Sequence, residues 1–173
     1  MFRIIAFAEK RHICHTRVWM KGWGILILCV VFVVAFFVIL TIYHVLNRPP
    51  SYFVAGGRRF AFTAFATTAA QRDAGLMNDT NITNSTLMLF VFPQETTDDS
   101  FWMYNTYLPL DIIWIQNDTI VHIVNATPCV GVSPLKCAIY NPDDAADFVI
   151  EARSGFVERN KITIGERVLL SKD

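Results

Sequence analysis

The sequence predicts a small, mainly β domain, a compact barrel or sandwich with one or two short helices, preceded by a single transmembrane helix. Three observations carry this. The 25 residues from Gly22 to Leu46 contain no Asp, Glu, Lys or Arg and are dense in Val, Ile, Leu and Phe. Beyond them, apolar runs of strand length recur between turn-forming residues, as at Leu87–Phe92, Ile112–Ile115 and Phe148–Glu151. Asn117-Asp118 separates Ile112–Ile115 from Thr119–Val124 at the spacing of a hairpin turn.

The apolar run comes first in the chain. At about 1.5 Å per helical residue it reaches roughly 38 Å, enough to cross a hydrocarbon core of about 30 Å with some tilt. A cleavable signal has a core of only about 7–15 residues and a small-residue cleavage site. Here the run is longer and is followed by Asn47-Arg48-Pro49-Pro50, so it reads as a retained signal anchor. Arg3, Lys10, Arg11, Arg17 and Lys21 precede it, against Arg48 and Arg58-Arg59 soon after. That asymmetry places residues 1–21 in the cytoplasm as a basic tail and the C-terminal domain outside the cell membrane, in a single-pass topology.

The neutral total, 15 Lys and Arg against 15 Asp and Glu, hides this division. Before the span stand five basic residues and one acid, and from Asn47 onward ten basic residues and fourteen acids. The outer part is mildly acidic and lacks the basic stripe of a nucleic-acid binder, so no nucleic-acid partner is expected.

Residues 47–58 read as a linker, because Pro49-Pro50 stops the helix and Gly56-Gly57 adds freedom. The outer domain then runs from 59 to 173. Phe60-Ala61-Phe62-Thr63-Ala64-Phe65 alternates bulky and small residues, which predicts one strand. Thr68 to Met77 predicts a short helix capped by Thr67 or Thr68, with Gly75 near its end. The strand at Leu87–Phe92, the hairpin over residues 112–124 and the strand at Phe148–Glu151 follow. A helical turn is expected over Ser154–Arg159, and Ile162–Leu170 closes the domain. Cys129 and Cys137 stand eight apart in a loop carrying Pro128, Gly131 and Pro134, and outside the cytoplasm such a pair can form a disulfide, a reading favoured over a metal-thiolate pair because no second Cys pair or nearby His pair accompanies it.

The segment from Phe101 to Ile115 sets aromatics, an amide, a hydroxyl and a carboxylate inside an apolar run, polar groups that a core strand excludes unless each has a partner. Together with Gly75-Leu76-Met77, Leu87-Met88-Leu89-Phe90-Val91-Phe92-Pro93 and Glu151-Ala152-Arg153-Ser154-Gly155, it resembles the motif set of domain-of-unknown-function family 192 (DUF192). The resemblance covers about residues 60–170. It implies a compact β-rich barrel or sandwich and, because the family has no established activity, no function. Members usually follow Gly-Leu-Met with a basic residue and a Gly-Met-Leu-Phe. Here Asn78 follows Met77, and Thr86-Leu87-Met88-Leu89-Phe90 replaces the second glycine motif.

Five of the nine asparagines, Asn78, Asn81, Asn84, Asn117 and Asn125, carry Thr two positions on. These are N-glycosylation acceptors if the domain lies outside, and good turn formers in any case.

Three chemistries are open to the outer domain. Trp102, Tyr104, Asn105, Thr106 and Asp111 combine aromatic area with amide, hydroxyl and carboxylate groups, which suits binding of an envelope glycan or protein partner. Asn105 and Thr106 serve equally as a turn between consecutive strands. Asp111 and Glu151, each at the end of an apolar strand, are the catalytic candidates for a carboxylate-dependent hydrolase, with raised pKa values suited to proton transfer. The structural alternative has them accepting backbone N–H groups or pairing with Arg72 or Arg153. Met77, Met88 and Met103 offer thioethers for extracytoplasmic copper handling, or simply fill the core. There is no nucleophile elbow, P-loop, H-E-x-x-H or dinucleotide glycine motif. Binding is therefore the expected role, an enzyme is not indicated, and no cofactor is expected.

Overall fold

The computed structural model describes residues 13–96, 100–142 and 145–172. The first twelve residues of the basic tail lie outside them. The chain divides into two units, residues 1–48 and 49–173.

In the first unit, helix α1 spans Ile13–Leu46. Its segment Trp23–Leu46 has a mean hydropathy of 3.5 and is long and apolar enough to cross a membrane, a property that an anchor shares with a signal sequence.

The second unit is mainly β. A five-stranded sheet holds β3 (Ala64–Ala66), β4 (Leu87–Thr96), β6 (Leu110–Gln116), β7 (Thr119–Ala126) and β9 (Ala146–Arg153). Their order is β3-β4-β9-β6-β7, with β3 parallel to β4 and the other pairs antiparallel. A second sheet holds β1 (Tyr52–Ala55), β2 (Arg58–Ala61) and β10 (Leu169–Ser171) in the order β10-β1-β2. A short ladder pairs β5 (Phe101–Trp102) with β8 (Ile139–Tyr140). Two small helices, α2 (Ala69–Ala74) and α3 (Phe156–Asn160), complete the unit.

The central sheet is buried on both faces, and this explains why its strands read as continuous apolar runs. On the first face Leu87, Leu89, Ile113, Ile115, Ile150 and Ala152 meet Phe53 and Phe62 from the smaller sheet and its exit, together with Phe156 of α3. On the second, Met88, Phe90, Ile112, Trp114 and Val149 pack against Leu76, Phe101 and Met103. Successive residues of one strand alternate between these layers, as the period of two requires.

Two expectations are corrected. The stretch read as a linker contains β1, whose Phe53 is fully buried, and Gly56-Gly57 is the turn of the β1–β2 hairpin rather than a flexible spacer. Gly56 and Gly57 take φ values of 56° and 72°, the left-handed geometry that a tight hairpin turn needs. The alternating run Phe60–Phe65 is two strands in two sheets, because the chain turns between Ala61 and Ala64 and pairs first with β1 and then with β4. Phe101-Trp102 and Leu110–Gln116 are consecutive strands in the chain, and the first of them pairs with Ile139-Tyr140.

Elsewhere the local signals act as read. Asn117 and Asp118 both adopt positive φ, 49° and 57°, in the turn between β6 and β7. Thr68 caps α2 through a capping box. Its side chain accepts from the Gln71 N–H while Gln71 Oε1 accepts from the Thr68 N–H at 3.0 Å.

Candidate functional site

Glu151 lies on β9 between Met88 of β4 and Ile112 of β6 in register, so its side chain leaves the sheet on the second face. The residue is 4% exposed. Over it passes the chain leaving α2. Gly75 takes φ 49°, and a Cβ there would stand 3.3 Å from both Glu151 Oε2 and Phe90 Cζ. The Gly75-Leu76-Met77 motif thus has a physical basis. Glycine supplies the left-handed turn and the close approach, and the next residue, Leu76, donates its N–H to the Glu151 carboxyl. That bond favours the charged form, but desolvation by burial outweighs it and pushes the Glu151 carboxyl up from 4.5 to about 7. Oε2 has no hydrogen-bond partner among the described residues.

Glu151 borders a cleft of about 430 Å³. Its walls are α2, with Arg72 and Asp73, the Gly75-Leu76-Met77 turn, and the aromatic residues Phe90, Phe92, Phe101, Trp102 and Tyr104. Thr106 and Ile139 also reach it. The aromatic rings support one another, with Phe90 and Phe101 edge to face at 5.0 Å and Trp102 tilted over Tyr104 at 5.5 Å. Trp102 is 39% exposed and offers its ring to an incoming group. Arg72 Nη1 donates to the carbonyls of Thr67 and Val91, each at 3.1 Å, and its guanidinium lies 5.5 Å from the Phe92 ring.

The predicted binding residues are only partly brought together. Trp102, Tyr104 and Thr106 line the cleft. Asn105 does not line it. It takes φ 51° in a turn where its N–H donates to Cys129 O at 2.8 Å and Thr106 N–H returns to Met103 O at 3.0 Å. Asp111 sits one residue before Ile112, opposite Ala152, and so leaves the sheet on the first face. Its Oδ2 accepts from the Val157 N–H at 2.9 Å and its Oδ1 from Asn125 Nδ2 at 2.7 Å. The two carboxylates proposed as a catalytic pair therefore face opposite sides of one sheet. Neither is paired as the ionic alternative had it, but Asp111 accepts a backbone N–H as the structural alternative expected, and Glu151 has the raised pKa.

Of the methionines, Met77 lines the cleft, whereas Met88 and Met103 are buried in the core at 7% and 1% exposure. Cys129 and Cys137 are joined in a disulfide. Asn78, Asn81, Asn84 and Asn117 are exposed. Asn125 is exposed too, yet its Nδ2 already donates to Asp111 and to Ser154 Oγ. Gly75, Arg72 and Phe92 were missed as site residues. The sequence marked Gly75 as a helix end and as part of the Gly75-Leu76-Met77 motif, but its closeness to a strand some 75 residues later carries no local signal.

The DUF192 family model, described as an uncharacterized ACR, matches residues 53–170. The chain belongs to the DUF192 family. The matched span begins at Phe53, in β1, in keeping with the place of that strand in the DUF192 core. A crystal structure from Sinorhizobium meliloti 1021, described as that of a proposed transcription regulator, is 32% identical, with a TM-score of 0.58 over 68% of this chain and 89% of the other. A protein of unknown function from Novosphingobium aromaticivorans DSM 12444 is 28% identical, with a TM-score of 0.56 over 70% of this chain and 83% of the other. No curated protein matches.

Proposed function

We propose that this DUF192 domain is a ligand-binding module, held by α1 at the outer side of the cell membrane, that takes part of an envelope glycan or protein into the cleft beside Glu151. One observation carries the reading: a buried carboxyl with an unpartnered oxygen borders a cleft with aromatic walls. A polar atom left unpaired in a low-dielectric setting costs about 1–3 kcal/mol, which a ligand supplying the missing hydrogen bond recovers. Aromatic area with a few convergent polar groups is the usual make-up of a small-molecule site.

The topology rests on charge. The five basic residues before the span support a cytoplasmic N-terminus and an outer domain, a compartment in which the Cys129–Cys137 bridge would be stable. On this reading Asn78, Asn81, Asn84 and Asn117 are the glycosylation sites, since a glycan on Asn125 would displace one of its two hydrogen bonds. The label of the Sinorhizobium protein describes that protein. The excess of acid from Asn47 onward supports a domain here that does not engage nucleic acid.

A second reading, hydrolysis of an envelope substrate, draws on the same group. A carboxyl titrating near 7 suits general acid or base work, but it would act without Asp111. Copper handling would rest on Met77 alone at the cleft.

The test is thermal unfolding of the full chain in detergent micelles, with cell-wall glycan fragments and envelope peptides. A ligand at a hundredfold excess over its Kd adds about 2.7 kcal/mol, and Trp102→Ala should abolish the shift. A cooperatively unfolding chain that no such ligand shifts would sink the proposal.

A further inference from the structure

We propose that the inner end of the cleft accepts an ammonium group, with the unpartnered Oε2 of Glu151 as its anion and the aromatic walls as its surround. This rests on the ligand-binding reading and names the chemical group that the site selects.

Four observations point to a cation. Glu151 borders the cleft and its Oε2 is buried without a partner, so it accepts a hydrogen bond from a donor that reaches it. An ammonium offers three donors and the opposite charge, which offset the desolvation that disfavours the ionised carboxyl. Among the described residues, the charged groups bordering the cleft are Asp73 and Arg72 on α2 and Glu151 on β9, two acids against one base. The base is committed, since Arg72 Nη1 bonds two backbone carbonyls and its guanidinium lies by Phe92, itself an instance of a cation held against an aromatic wall here. The other rings, Phe90, Phe101, Trp102 and Tyr104, can face a cation in the same way.

The proton balance gives the proposal a sign. Ammonium binds the ionised Glu151, so at a pH below about 7 binding expels the carboxyl proton to solvent, and affinity rises with pH until the acid is fully ionised. A neutral ligand that accepts a hydrogen bond from the protonated acid would bind more weakly as pH rises. Among the described residues, the other titratable or charged groups that line the cleft are Asp73 and Arg72 on α2 and Tyr104 on the facing loop.

The amine could come from an amino sugar or from a peptide, and the probes separate these. The full chain in detergent micelles is titrated calorimetrically with glucosamine and with Nα-acetyl-lysine amide. Each is compared with its N-acetylated, uncharged counterpart. One or both amines should bind, with the acetylated form at least about tenfold weaker. Glucosamine alone would assign an amino sugar, and the lysine derivative alone a peptide. Glu151→Gln, which keeps shape and loses charge, should weaken amine binding at least about tenfold, and Asp73→Asn only about twofold to threefold. Affinity for the lysine derivative should rise at least about tenfold from about pH 5.5 to about pH 7.5. Equal binding of an acetylated form, or affinity falling with pH, would overturn the ammonium assignment while leaving a binding cleft in place. Failure of both amines in a chain that binds envelope glycan fragments would do the same. Failure of every ligand in both experiments would remove the binding reading itself.

Discussion

Asp111 and Glu151 are equally buried, at 4% exposure, and lie on adjacent strands of one sheet, yet they live in opposite conditions. Asp111, on the face covered by the smaller sheet and α3, has both oxygens occupied, by the Val157 N–H and by Asn125. It ties α3 and β7 to β6. Glu151, on the other face, keeps one hydrogen bond and leaves Oε2 without a partner beside a cleft. A satisfied carboxylate holds structure together, and an unsatisfied one is a cost that the fold tolerates where something else can offset it. Burial alone does not separate the two cases. The partner count does.

The widest effect expected is at the satisfied residue. Asp111→Ala removes two charge-assisted hydrogen bonds and strands the Val157 N–H, so denaturant unfolding of the full chain should lose about 4 kcal/mol. A loss under about 1 kcal/mol would mean that the contrast between the faces has no energetic content.

Next comes Glu151→Gln, whose effect depends on pH. Burial raises this carboxyl from 4.5 to about 7, so between those values the folded chain retains a proton that the unfolded chain has released. The stability contributed by the neutral acid is therefore complete below about pH 4.5 and is lost as pH climbs to about 7. Glutamine has no proton to lose. Its stability relative to the parent should improve by about 3 kcal/mol from acid pH to pH about 8, measured as the difference between paired denaturation curves. A difference that stays flat with pH would show that Glu151 is not desolvated.

Smallest is Thr68→Ala, which removes the side-chain half of the cap on α2, one wall of the cleft. It should lower stability by about 1 kcal/mol and weaken ligand binding more than a surface threonine change such as Thr163→Ala. Equal effects on binding would separate α2 from the site.

Much of the fold was legible because its signals are local. The Asn117-Asp118 turn, the Thr68 cap and the apolar runs of β4, β6 and β9 each depend on residues within one turn or one strand. The disulfide could be read from its spacing together with the compartment expected from the flanking charge. What stayed hidden is non-local. The alternation of Phe60 to Phe65 looks the same whether its two halves share a sheet or, as here, change sheets between them. Asp111 and Glu151 looked like partners because each ends an apolar strand. Only the register Ile112↔Glu151, fixed across a sequence separation of 39, shows that they face apart. The cleft was half visible. Trp102, Tyr104 and Thr106 stood out as polar and aromatic residues in an apolar run, whereas Arg72 and Gly75 reach the site through the packing of α2 on β4 and β9.

The Cys129–Cys137 bridge has a bearing on when the site is finished. Cys129 holds the Asn105 turn through its carbonyl and bridges Tyr104, while Cys137 leads into Ile139, the residue paired with Trp102. The covalent clip therefore joins both ends of the wall that carries Trp102 and Tyr104. With the thiols reduced, that wall would depend on a two-residue ladder and a few backbone bonds. On the proposed topology the chain is synthesised with free thiols and oxidised after export, so maturation of the cleft would coincide with arrival in the compartment where it is used.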